Sequence, residues 1–505
     1  MNRRLDARAL RDLVLDPGSW RSWDRPVPPR EVDDQYAAEL ARAAERTQQD
    51  EAVVTGEGTL RGRRVAVVAG EFGFLAGSIG VATAERLMTA VERATAEGLP
   101  LLAAPVSGGT RMQEGTVAFL QMIGITQAIA RHKEAGLPYL VYLRGPTFGG
   151  VLASWGSLGH VTIAEPGAAV GFLGPRVYEA LYGEPFPEGV QTAENLASRG
   201  LIDGVVPVEE IADVAERALG VLAARETWHR MASVDGPVEG DGTDADDPED
   251  GRTAWDVVTA SRRPDRPGVR ELLRTAATDV VPLSGTGAGE KDPGLLLALA
   301  RFGGAPCVVL GQDRSGQSMS APLGPGALRE ARRGMRLAAE LRLPLLTLID
   351  TPGAALSVAA EEGGLAGEIA RCLQDLVMLE APTLAVLLGQ GTGGGALALV
   401  PADRVLAAAN GWLGPLPPEG AAAIVHRTVD RAGEMAASQG VRATDLWRHG
   451  IVDRVVPERP DAADEPVEFC LRLGRVLAEE LAGLLGRDDV ERLRSRTRRW
   501  RHLGH

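Results

Sequence analysis

The sequence predicts an α/β protein that contains two tandem copies of one domain. Runs rich in Val, Ile and Leu alternate with longer helical segments, which is the pattern of βαβ units and a sheet covered by helices. A series of motifs in the first half of the chain recurs in the same order in the second half. At 505 residues the chain also exceeds what a single hydrophobic core normally holds.

The internal repeat rests on four pairs of motifs. They are LPLL at 99 and 343, SGG at 107–109 with TPG at 351–353, PTFGGV at 146–151 with GTGGGA at 391–396, and IDGVVP at 202–207 with VDRVVP at 452–457. The displacement is 244, then 245, then 250 residues, which is too long for a solenoid repeat and indicates a duplicated domain. Two similar lobes normally face each other, so we expect both glycine-rich motifs at one cleft, within the chain or across a dimer.

In the first half we expect a helical arm over residues 1–50 and a domain over residues 51–234. The predicted elements are strands at 53–60 and 64–70 joined by a turn at Gly62, a helix at 82–97, a strand at 99–106, a helix at 116–135, a strand at 139–143 and a helix at 208–228.

The second half follows an acidic linker, predicted at 235–252. Residues 235–250 contain eight acidic side chains and no basic one, which is typical of a solvated segment. The second domain is predicted over 253–460, with a strand at 307–311, a helix at 327–341 and a strand at 345–349. Residues 461–505 form a C-terminal helical segment, whose basic end we interpret as an amphipathic packing helix, with nucleotide or partner binding as the alternative.

Composition excludes several classes of function. The net charge of −14 argues against nucleic acid or an anionic membrane as the main partner. Two nearly uncharged stretches, 145–164 and 381–402, are interrupted by glycine and proline, so we expect buried core there and no membrane span. The N-terminus is charged and lacks the apolar core of a signal peptide.

The three cysteines are Cys307, Cys372 and Cys470, and none forms a CxxC pair. This spacing supports neither a zinc ribbon nor a disulfide framework. We therefore expect a reducing, cytoplasmic environment and no zinc.

The chemistry is predicted to lie at two glycine turns, Gly149 with Gly150 and Gly394 with Gly395. Paired glycines between a strand and a helix leave backbone N–H groups open to a ligand, and the helix adds its positive end. Such a turn suits an oxygen that becomes anionic, so the sequence predicts two oxyanion holes. The alternative is tight packing of helix on sheet with no ligand.

Other constellations have simpler explanations. Ser107 with His132 or His160 suggests a hydrolase, but the spacing matches no nucleophile elbow. Asp350 with Glu361 and Glu362 suggests a metal or a carboxylate pair, and charges at helix ends are the simpler interpretation.

The motifs as a set resemble a known family, the carboxyltransferase component of biotin-dependent acyl-CoA carboxylases. The first half is similar to the β subunit through LVLDPGSW at 13–20, GEFGFLAGSIG at 70–80, SGGTRMQEG at 107–115, PTFGGVLAS at 146–154 and IAEPGAAVGFLGPRV at 163–177. The second half is similar to the α subunit through AWDVVTASRRPDRP at 254–267, LIDTPGA at 348–354, AEEGG at 360–364, GGGALAL at 393–399 and PPEGAAAI at 417–424.

The resemblance implies a fused β and α chain with two tandem crotonase-like (ClpP/crotonase) ββα-superhelix domains. It also implies transfer of a carboxyl group from carboxybiotin on a separate carrier protein to an acyl-CoA, most simply acetyl-CoA giving malonyl-CoA, through an enolate. Released biotin can take the α-proton, so no His or Glu base is required.

The resemblance assigns roles to individual residues. The thioester carbonyl would be held by Gly149, Gly150, Gly108 and Gly109, and the biotin ureido oxygen by Gly394, Gly395 and Ala396. Arg111 and Arg176 would contact a CoA phosphate or carboxylate, because a guanidinium binds such groups in bidentate fashion, and Ser78 would approach the CoA arm. A surface ion pair is the alternative for each arginine.

The implied partners are a biotin carboxylase and a biotin carboxyl carrier protein, since the chain has no biotinylation segment and no ATP-binding motif. A second copy of the chain, in a homo-oligomer, is also implied. The chain also departs from the family. No cysteine precedes residue 307, so the usual zinc ribbon is missing, and Ala355 and Gly363 replace a tyrosine and an arginine. A malonyl-thioester decarboxylase of the same fold and a non-catalytic assembly subunit remain alternatives.

Overall fold

The computed structural model describes residues 5–28, 32–172, 174–232, 251–318 and 322–501. These residues form two compact units. The first spans Met1–Leu219 with Gly287–Gly289, and the second spans Gly220–Thr286 with Glu290–His505. Residues 235–250 of the predicted linker lie outside the described residues.

The first unit is built on a mixed sheet, as the sequence predicts for an α/β fold. Its strands are β1 Arg21–Ser22, β2 Val53–Leu60, β3 Arg63–Gly70, β4 Leu101–Ala104, β5 Tyr139–Leu143, β6 Thr147–Phe148, β7 Val161–Ala164, β8 Val170–Gly171 and β9 Gly204–Val205. Its helices are α1 Ala7–Val14, α2 Asp34–Thr47, α3 Val81–Ala96, α4 Gly115–Glu134, α5 Pro175–Tyr182, α6 Ala193–Ser198 and α7 Ile211–Ala232, which continues into the second unit.

Within the described residues the main sheet of this unit has the order β1-β2-β3-β4-β5-β7-β9. β2 and β3 form an antiparallel hairpin whose turn is made by Arg61 and Gly62, both at positive φ. The strands that follow pair in parallel, because helices cross over between them. α3 and α4 cover the sheet and bury Leu87, Ile125 and Ile129 against it.

The N-terminal arm packs closely on this unit. Tyr36 of α2 donates its hydroxyl to Glu114 at 2.5 Å, and the N–H of Ala7 in α1 donates to Glu71 at 2.9 Å. The arm also contributes β1, which pairs with the outer edge of β2 and which the helical pattern did not predict. It therefore reaches the loop that carries the SGGTRMQEG motif.

The second unit repeats this architecture. Its strands are β10 Ala277–Leu283, β11 Leu295–Phe302, β12 Ala305–Gln312, β13 Leu345–Thr351, β14 Thr383–Thr392, β15 Arg404–Ala408, β16 Trp412–Gly414 and β17 Arg454–Val456. Its helices are α8 Ala254–Ser261, α9 Val269–Ala276, α10 Pro325–Leu341, α11 Val358–Glu362, α12 Leu365–Met378, α13 Gly393–Leu397, α14 Pro418–His426, α15 Ala432–Gln439, α16 Ala443–Arg448, α17 Pro466–Leu485 and α18 Asp489–Arg501.

The described part of the second sheet runs β10-β11-β12-β13-β14-β15-β17, with β16 paired to the end of β14. β10, β11 and β12 are antiparallel and the later strands are parallel, as in the first unit. α9 and α17 cover one face, where Phe302, Phe469 and Leu477 are fully buried. The predicted duplication is thus visible in the topology.

The basic C-terminal end is a packing helix, as the sequence predicts. Arg492 and Arg496 of α18 both bind Asp403, at 3.0 and 2.6 Å, and all three side chains are buried. Burial acts to raise the pKa of Asp403, but hydrogen bonds from Arg496 outweigh it and hold the pKa below its ordinary value. These arginines serve the fold of the second unit.

The two uncharged stretches lie inside these units. Residues 145–164 contain β6 and β7, and residues 381–402 contain β14 and α13. Over the described ranges, no helix has both the length and the apolar character needed to cross a membrane.

Candidate active site

The glycine turn of the first unit follows β6. Gly149 opens a short 3-10 turn, Gly149–Val151, with φ of +65°, and its N–H donates to the Phe172 carbonyl at 3.0 Å. Gly150 is the second residue of this turn, and the first N–H groups of a helical turn have no partner inside it, which leaves the N–H of Gly150 open. Both glycines are half-buried, so Gly150 offers one open donor at an accessible position.

The SGG loop lies beside this turn. A Cβ added to Gly149 would lie 3.4 Å from the Cα of Gly109, which is ordinary contact, so the positive φ of Gly149 favours glycine here and the available space does not. The N–H of Gly108 donates to the Ala76 carbonyl at 2.8 Å, and that of Gly109 donates to the Ser107 hydroxyl at 3.0 Å. Of the four N–H groups predicted to hold a thioester carbonyl, three therefore have partners within the unit.

The glycine turn of the second unit begins α13. Gly393 has φ of +62°, and the helix is only five residues long. In an α-helix the first N–H groups have no partner inside the helix, which here leaves those of Gly394 and Gly395 open, while that of Ala396 points back to the Thr392 carbonyl. A Cβ added to Gly394 would lie 2.6 Å from Ile369 Cδ1, so Ile369 already packs against this glycine and would have to move for any side chain there.

The two turns share their backbone conformation. Gly149 and Gly393, which open them at nearly equal positive φ, are 244 residues apart. Alignment of the two glycine-rich motifs gave a displacement of 245 residues here, which was wrong by one residue. The two glycines with positive φ are equivalent positions, and the residue types alone do not identify them. The correct register places Gly150 opposite Gly394.

The adjoining loops match in the same register. Gly109 donates its N–H to Ser107 Oγ at 3.0 Å, and Gly353 donates to Thr351 Oγ1 at 3.2 Å. Both glycines have positive φ, of +118° and +132°. Each unit thus holds one glycine turn and one hydroxyl-supported loop in the same relation.

A profile of the carboxyl transferase domain matches residues 3–484 of the sequence. The chain belongs to the carboxyl transferase family. It is 60% identical over 501 residues, covering 99% of each chain, to a probable biotin-dependent acyl-coenzyme A carboxylase beta3 subunit of Mycobacterium tuberculosis. It is 38% identical over 521 residues, 99% of this chain and 91% of the relative, to the acetyl-coenzyme A carboxylase carboxyl transferase subunits beta/alpha of Salinispora tropica.

Solved structures support the fold. A crystal structure of transcarboxylase 12S superposes with a TM-score of 0.72 at 22% identity, covering 94% of this chain and 88% of that one. A single-chain, multi-domain long-chain acyl-CoA carboxylase superposes with a TM-score of 0.68 at 18% identity, covering 92% of this chain and 45% of that one. The crotonase-like fold expected from the sequence motifs is therefore confirmed.

In this carboxyl transferase Arg111 occupies a different environment from the one predicted. Its side chain is fully buried and forms a bidentate ion pair with Glu51, at 2.7 and 2.8 Å. It also donates to the Ser78 carbonyl at 2.8 Å and to Thr83 Oγ1 at 3.1 Å. A contact with a CoA phosphate would require this network to open.

Electrostatics keep the pair ionised. Burial acts to raise the pKa of Glu51, but the hydrogen bonds and charge of Arg111 outweigh it and lower that pKa below its ordinary value. The N–H of Arg111 donates to the Ile79 carbonyl at 3.0 Å, and that of Ile79 to the Gly109 carbonyl at 3.0 Å. Arg111 therefore ties the SGG loop to the segment that carries Ser78.

The remaining predicted contacts lie nearby in the first unit or outside the described atoms. Ser78 is half-buried, and its hydroxyl accepts from Arg111 Nε at 3.3 Å. Arg176 lies in α5, and its side chain is outside the described part of the structure.

The alternative constellations do not assemble as catalytic groups. The ring nitrogens of His132 lie 2.9 Å from Thr95 Oγ1 and 3.2 Å from the Pro138 carbonyl, and burial lowers its pKa to about 4. His160 accepts the N–H of Tyr139 at 3.0 Å. Over the part of the chain that the structure describes, no three His, Cys, Asp or Glu side chains come close enough to hold a metal ion.

Sequence reasoning missed the side chains that support the second turn. Gln312, at the end of β12, donates to the Gly395 carbonyl at 2.7 Å and accepts the N–H of Asp350 at 3.1 Å. Asp350 is buried, and one of its oxygens accepts the N–H of Gln390 at 3.1 Å. Burial raises the pKa of Asp350, an effect that Arg314 partly offsets.

The substituted family positions are both occupied by local packing. Ala355 is buried and donates its N–H to the Leu323 carbonyl at 2.9 Å. A Cβ at Gly363 would lie 2.8 Å from the Ala359 carbonyl and 2.9 Å from Pro325, so the backbone there leaves no room for an arginine side chain. Arg329 of α10 instead donates to the Gly363 carbonyl at 2.6 Å.

Proposed function

We propose that this chain transfers a carboxyl group from carboxybiotin on a separate carrier protein to an acyl-CoA. The observation that carries the proposal is the pair of glycine turns, each of which presents at least one open backbone N–H group beside a hydroxyl-supported loop. Carboxyl transfer of this kind generates negative charge on two oxygens, the thioester oxygen of the acyl group and the ureido oxygen of biotin. Two turns of equal conformation match two such charges.

The donor set of the second turn fits the ureido group. A ureido oxygen only accepts hydrogen bonds, and the open N–H groups of Gly394 and Gly395 only donate them. Carboxybiotin, when bound there, supplies the carboxyl group.

The first turn would act on the acyl-CoA. Its open donor, the N–H of Gly150, would hold the thioester oxygen, where charge grows as the α-proton leaves. Gly109 would add a second donor if a substrate oxygen replaced the Ser107 hydroxyl, which can rotate away. Preorganised donors of this type contribute about 2.7 to 4 kcal/mol each to transition-state stabilisation.

We propose acetyl-CoA as the acyl substrate, giving malonyl-CoA for fatty acid biosynthesis. The relative from Salinispora tropica is named for acetyl-CoA, which supports this choice. The relative of 60% identity is named only for an acyl-coenzyme A, so propionyl-CoA and longer chains belong in the test.

The proposed partners are a biotin carboxylase and a biotin carboxyl carrier protein, in the cytoplasm. We also propose a homo-oligomer, at least a dimer. The start of α4 exposes apolar side chains, among them Phe119 and Ile123, which are 57% and 67% exposed, and such groups normally mark an interface. Size-exclusion chromatography with light scattering tests the oligomer.

The activity test uses the purified chain with a biotin carboxylase, a biotinylated carrier, ATP and bicarbonate. We expect carboxylation of acetyl-CoA, measured by incorporation of labelled bicarbonate, with propionyl-CoA and a longer acyl-CoA in parallel. No product with any acyl-CoA would overturn the proposal. Release of CO₂ from malonyl-CoA without the carrier would indicate a decarboxylase, and failure to bind any acyl-CoA would indicate an assembly subunit.

A further inference from the structure

Gln312 is a buried polar side chain that bridges the two walls of the second glycine turn. It is 1% exposed and lies at the last position of β12. Its amide nitrogen donates to the Gly395 carbonyl at 2.7 Å, and its amide oxygen accepts the N–H of Asp350 at 3.1 Å. Both ends of one amide are thus used on two different segments.

The Gly395 carbonyl needs this partner because α13 ends early. The N–H of Ala398 donates to Gly394, and that of Leu399 donates to Ala396, so the chain tightens at the helix end and passes over Gly395. Among the described residues, Gln312 is the donor that satisfies this carbonyl. A buried carbonyl without a donor is costly, so the bond is a strong constraint on the turn.

The constraint reaches the open donors through the backbone of the turn. A peptide unit is planar and trans, so the carbonyl of Gly395 and the N–H of Ala396 point in opposite directions from one rigid plane. Fixing the carbonyl therefore fixes the direction of the Ala396 N–H, which points back to the Thr392 carbonyl at the start of α13. The plane begins at the Cα of Gly395, so it also restrains that residue, whose own N–H, in the preceding peptide unit, is one of the open donors.

The other end of Gln312 fixes the facing loop. Asp350 is followed by the TPG segment, and Gly353 donates to Thr351 Oγ1 at 3.2 Å. Gln317 supports the same segment by donating to the Asp350 carbonyl at 3.1 Å and accepting from Thr351 at 2.7 Å. Gln312 is the side chain that joins this loop to the turn.

We propose that Gln312 is a positioning residue that sets the geometry of the open N–H donors of Gly394 and Gly395. This inference rests on the proposed function for its effect on catalysis. It acts through the backbone and touches neither substrate nor cofactor.

Two substitutions separate the two ends of the amide. Gln312→Glu keeps an oxygen for the Asp350 N–H but places a carboxylate against the Gly395 carbonyl. Gln312→Met removes both bonds at similar volume. Thr347→Val is the matched control, because Thr347 Oγ1 donates to the Leu399 carbonyl at 2.9 Å and so joins β13 to the far end of the same turn.

The first measurement is steady-state carboxyl transfer with carboxylated carrier and acyl-CoA. We expect kcat to fall about 10- to 100-fold in Gln312→Met, which is no more than the fall caused by removing one oxyanion donor. The fall in kcat should be larger in Gln312→Glu. KM for acyl-CoA should stay within about twofold, because the acyl-side turn is untouched. Thr347→Val should retain kcat within about twofold while Tm falls by about 2–4 °C in both Thr347→Val and Gln312→Met.

The second measurement does not depend on activity. Residue-resolved hydrogen exchange should show the Ala396 amide exchanging about tenfold faster in Gln312→Met and unchanged in Thr347→Val. Equal losses of kcat in the two variants, or an unchanged Ala396 amide in Gln312→Met, would overturn the inference. If the unsubstituted chain transfers no carboxyl group, the proposed function fails, and the exchange data still decide whether Gln312 positions the turn.

Discussion

The buried ion pair between Arg111 and Glu51 provides a quantitative test of how the first unit holds its SGG loop. Their side chains are 0% and 3% exposed, so removing either partner leaves an uncompensated charge in the interior. Loss of one partner of such a pair typically costs about 3–5 kcal/mol. We therefore expect Arg111→Met and Glu51→Gln each to lower the free energy of unfolding by about that amount.

The double variant should be far less destabilised than the sum of the two. It removes both charges and leaves mainly the acceptors at Ser78 and Thr83, which corresponds to about 1–3 kcal/mol for unsatisfied buried groups. If the single losses were additive, the double variant would lose about 6–10 kcal/mol, so the coupling energy should be several kcal/mol. The unfolding transition in guanidinium, followed by tryptophan fluorescence, measures all three.

The neighbouring pair of Asp50 and Arg86 is the matched control. Its two bonds are both 2.9 Å long, but the Asp50 side chain is 47% exposed. Asp50→Asn should therefore cost no more than about 1 kcal/mol. Additive losses in the Arg111 and Glu51 cycle, or equal costs for Asp50→Asn and Glu51→Gln, would refute the reasoning that burial makes this pair a clamp.

Three further predictions test other parts of the structure. Burial raises the pKa of Glu330 to about 7, above its unfolded value near 4.5, so its contribution to stability is fully present below pH 4.5 and is lost as pH rises through 7. Glu330→Gln should abolish that fall in Tm, which we expect between about pH 4.5 and 7. Gly149→Ala places a side chain at φ of +65° and should cost about 1–2 kcal/mol, with a drop in carboxyl transfer larger than that in a variant of equal Tm elsewhere. Asp403→Asn leaves Arg492 and Arg496 without their carboxylate and should lower the free energy of unfolding by about 3 kcal/mol, so that limited proteolysis cuts within α18. Because the folded pKa of Asp403 is depressed, acid should weaken the same contact only as pH falls below about 3.8.

The long elements and the duplication are predictable from sequence because they depend on local pattern. β2 begins and ends where the apolar run predicts, at Val53 and Leu60, and α4 lies within one residue of its predicted bounds. The two-residue strands β1, β6 and β8 carry no such pattern and form only through their partners.

The glycine turns of the candidate site could be predicted from the sequence, but the side chains that support them could not. Paired glycines are visible in the letters, whereas the partner of Arg111 lies 60 residues away and that of Gln312 lies 83 residues away. Because the partners are so far apart along the chain, neither contact could be predicted from the sequence. Arg111 was therefore predicted to contact CoA, although its side chain forms a buried ion pair.

Comparison of the two units in the correct register explains where these supports lie. Arg111 donates its N–H to Ile79, and 244 residues later Ala355 donates to Leu323, so the backbone of the loop is preserved while its side chain is not. At the end of an earlier strand it is the second unit that has the supporting side chain: β12 ends in Gln312, whereas β3 ends in Gly70.

The two units therefore differ in where a supporting side chain lies: Arg111 is in the loop of the first unit, and Gln312 is in the strand of the second. A Cβ at Gly70 would lie 2.9 Å from the Val106 N–H nitrogen, so the first unit has no room at the strand end for the second unit's solution. The support in the first unit is ionic and should respond to removal of charge at Glu51. The support in the second unit is a neutral amide and should respond to the loss of hydrogen-bonding groups at Gln312, which makes the two turns separable by substitution although their backbones are alike.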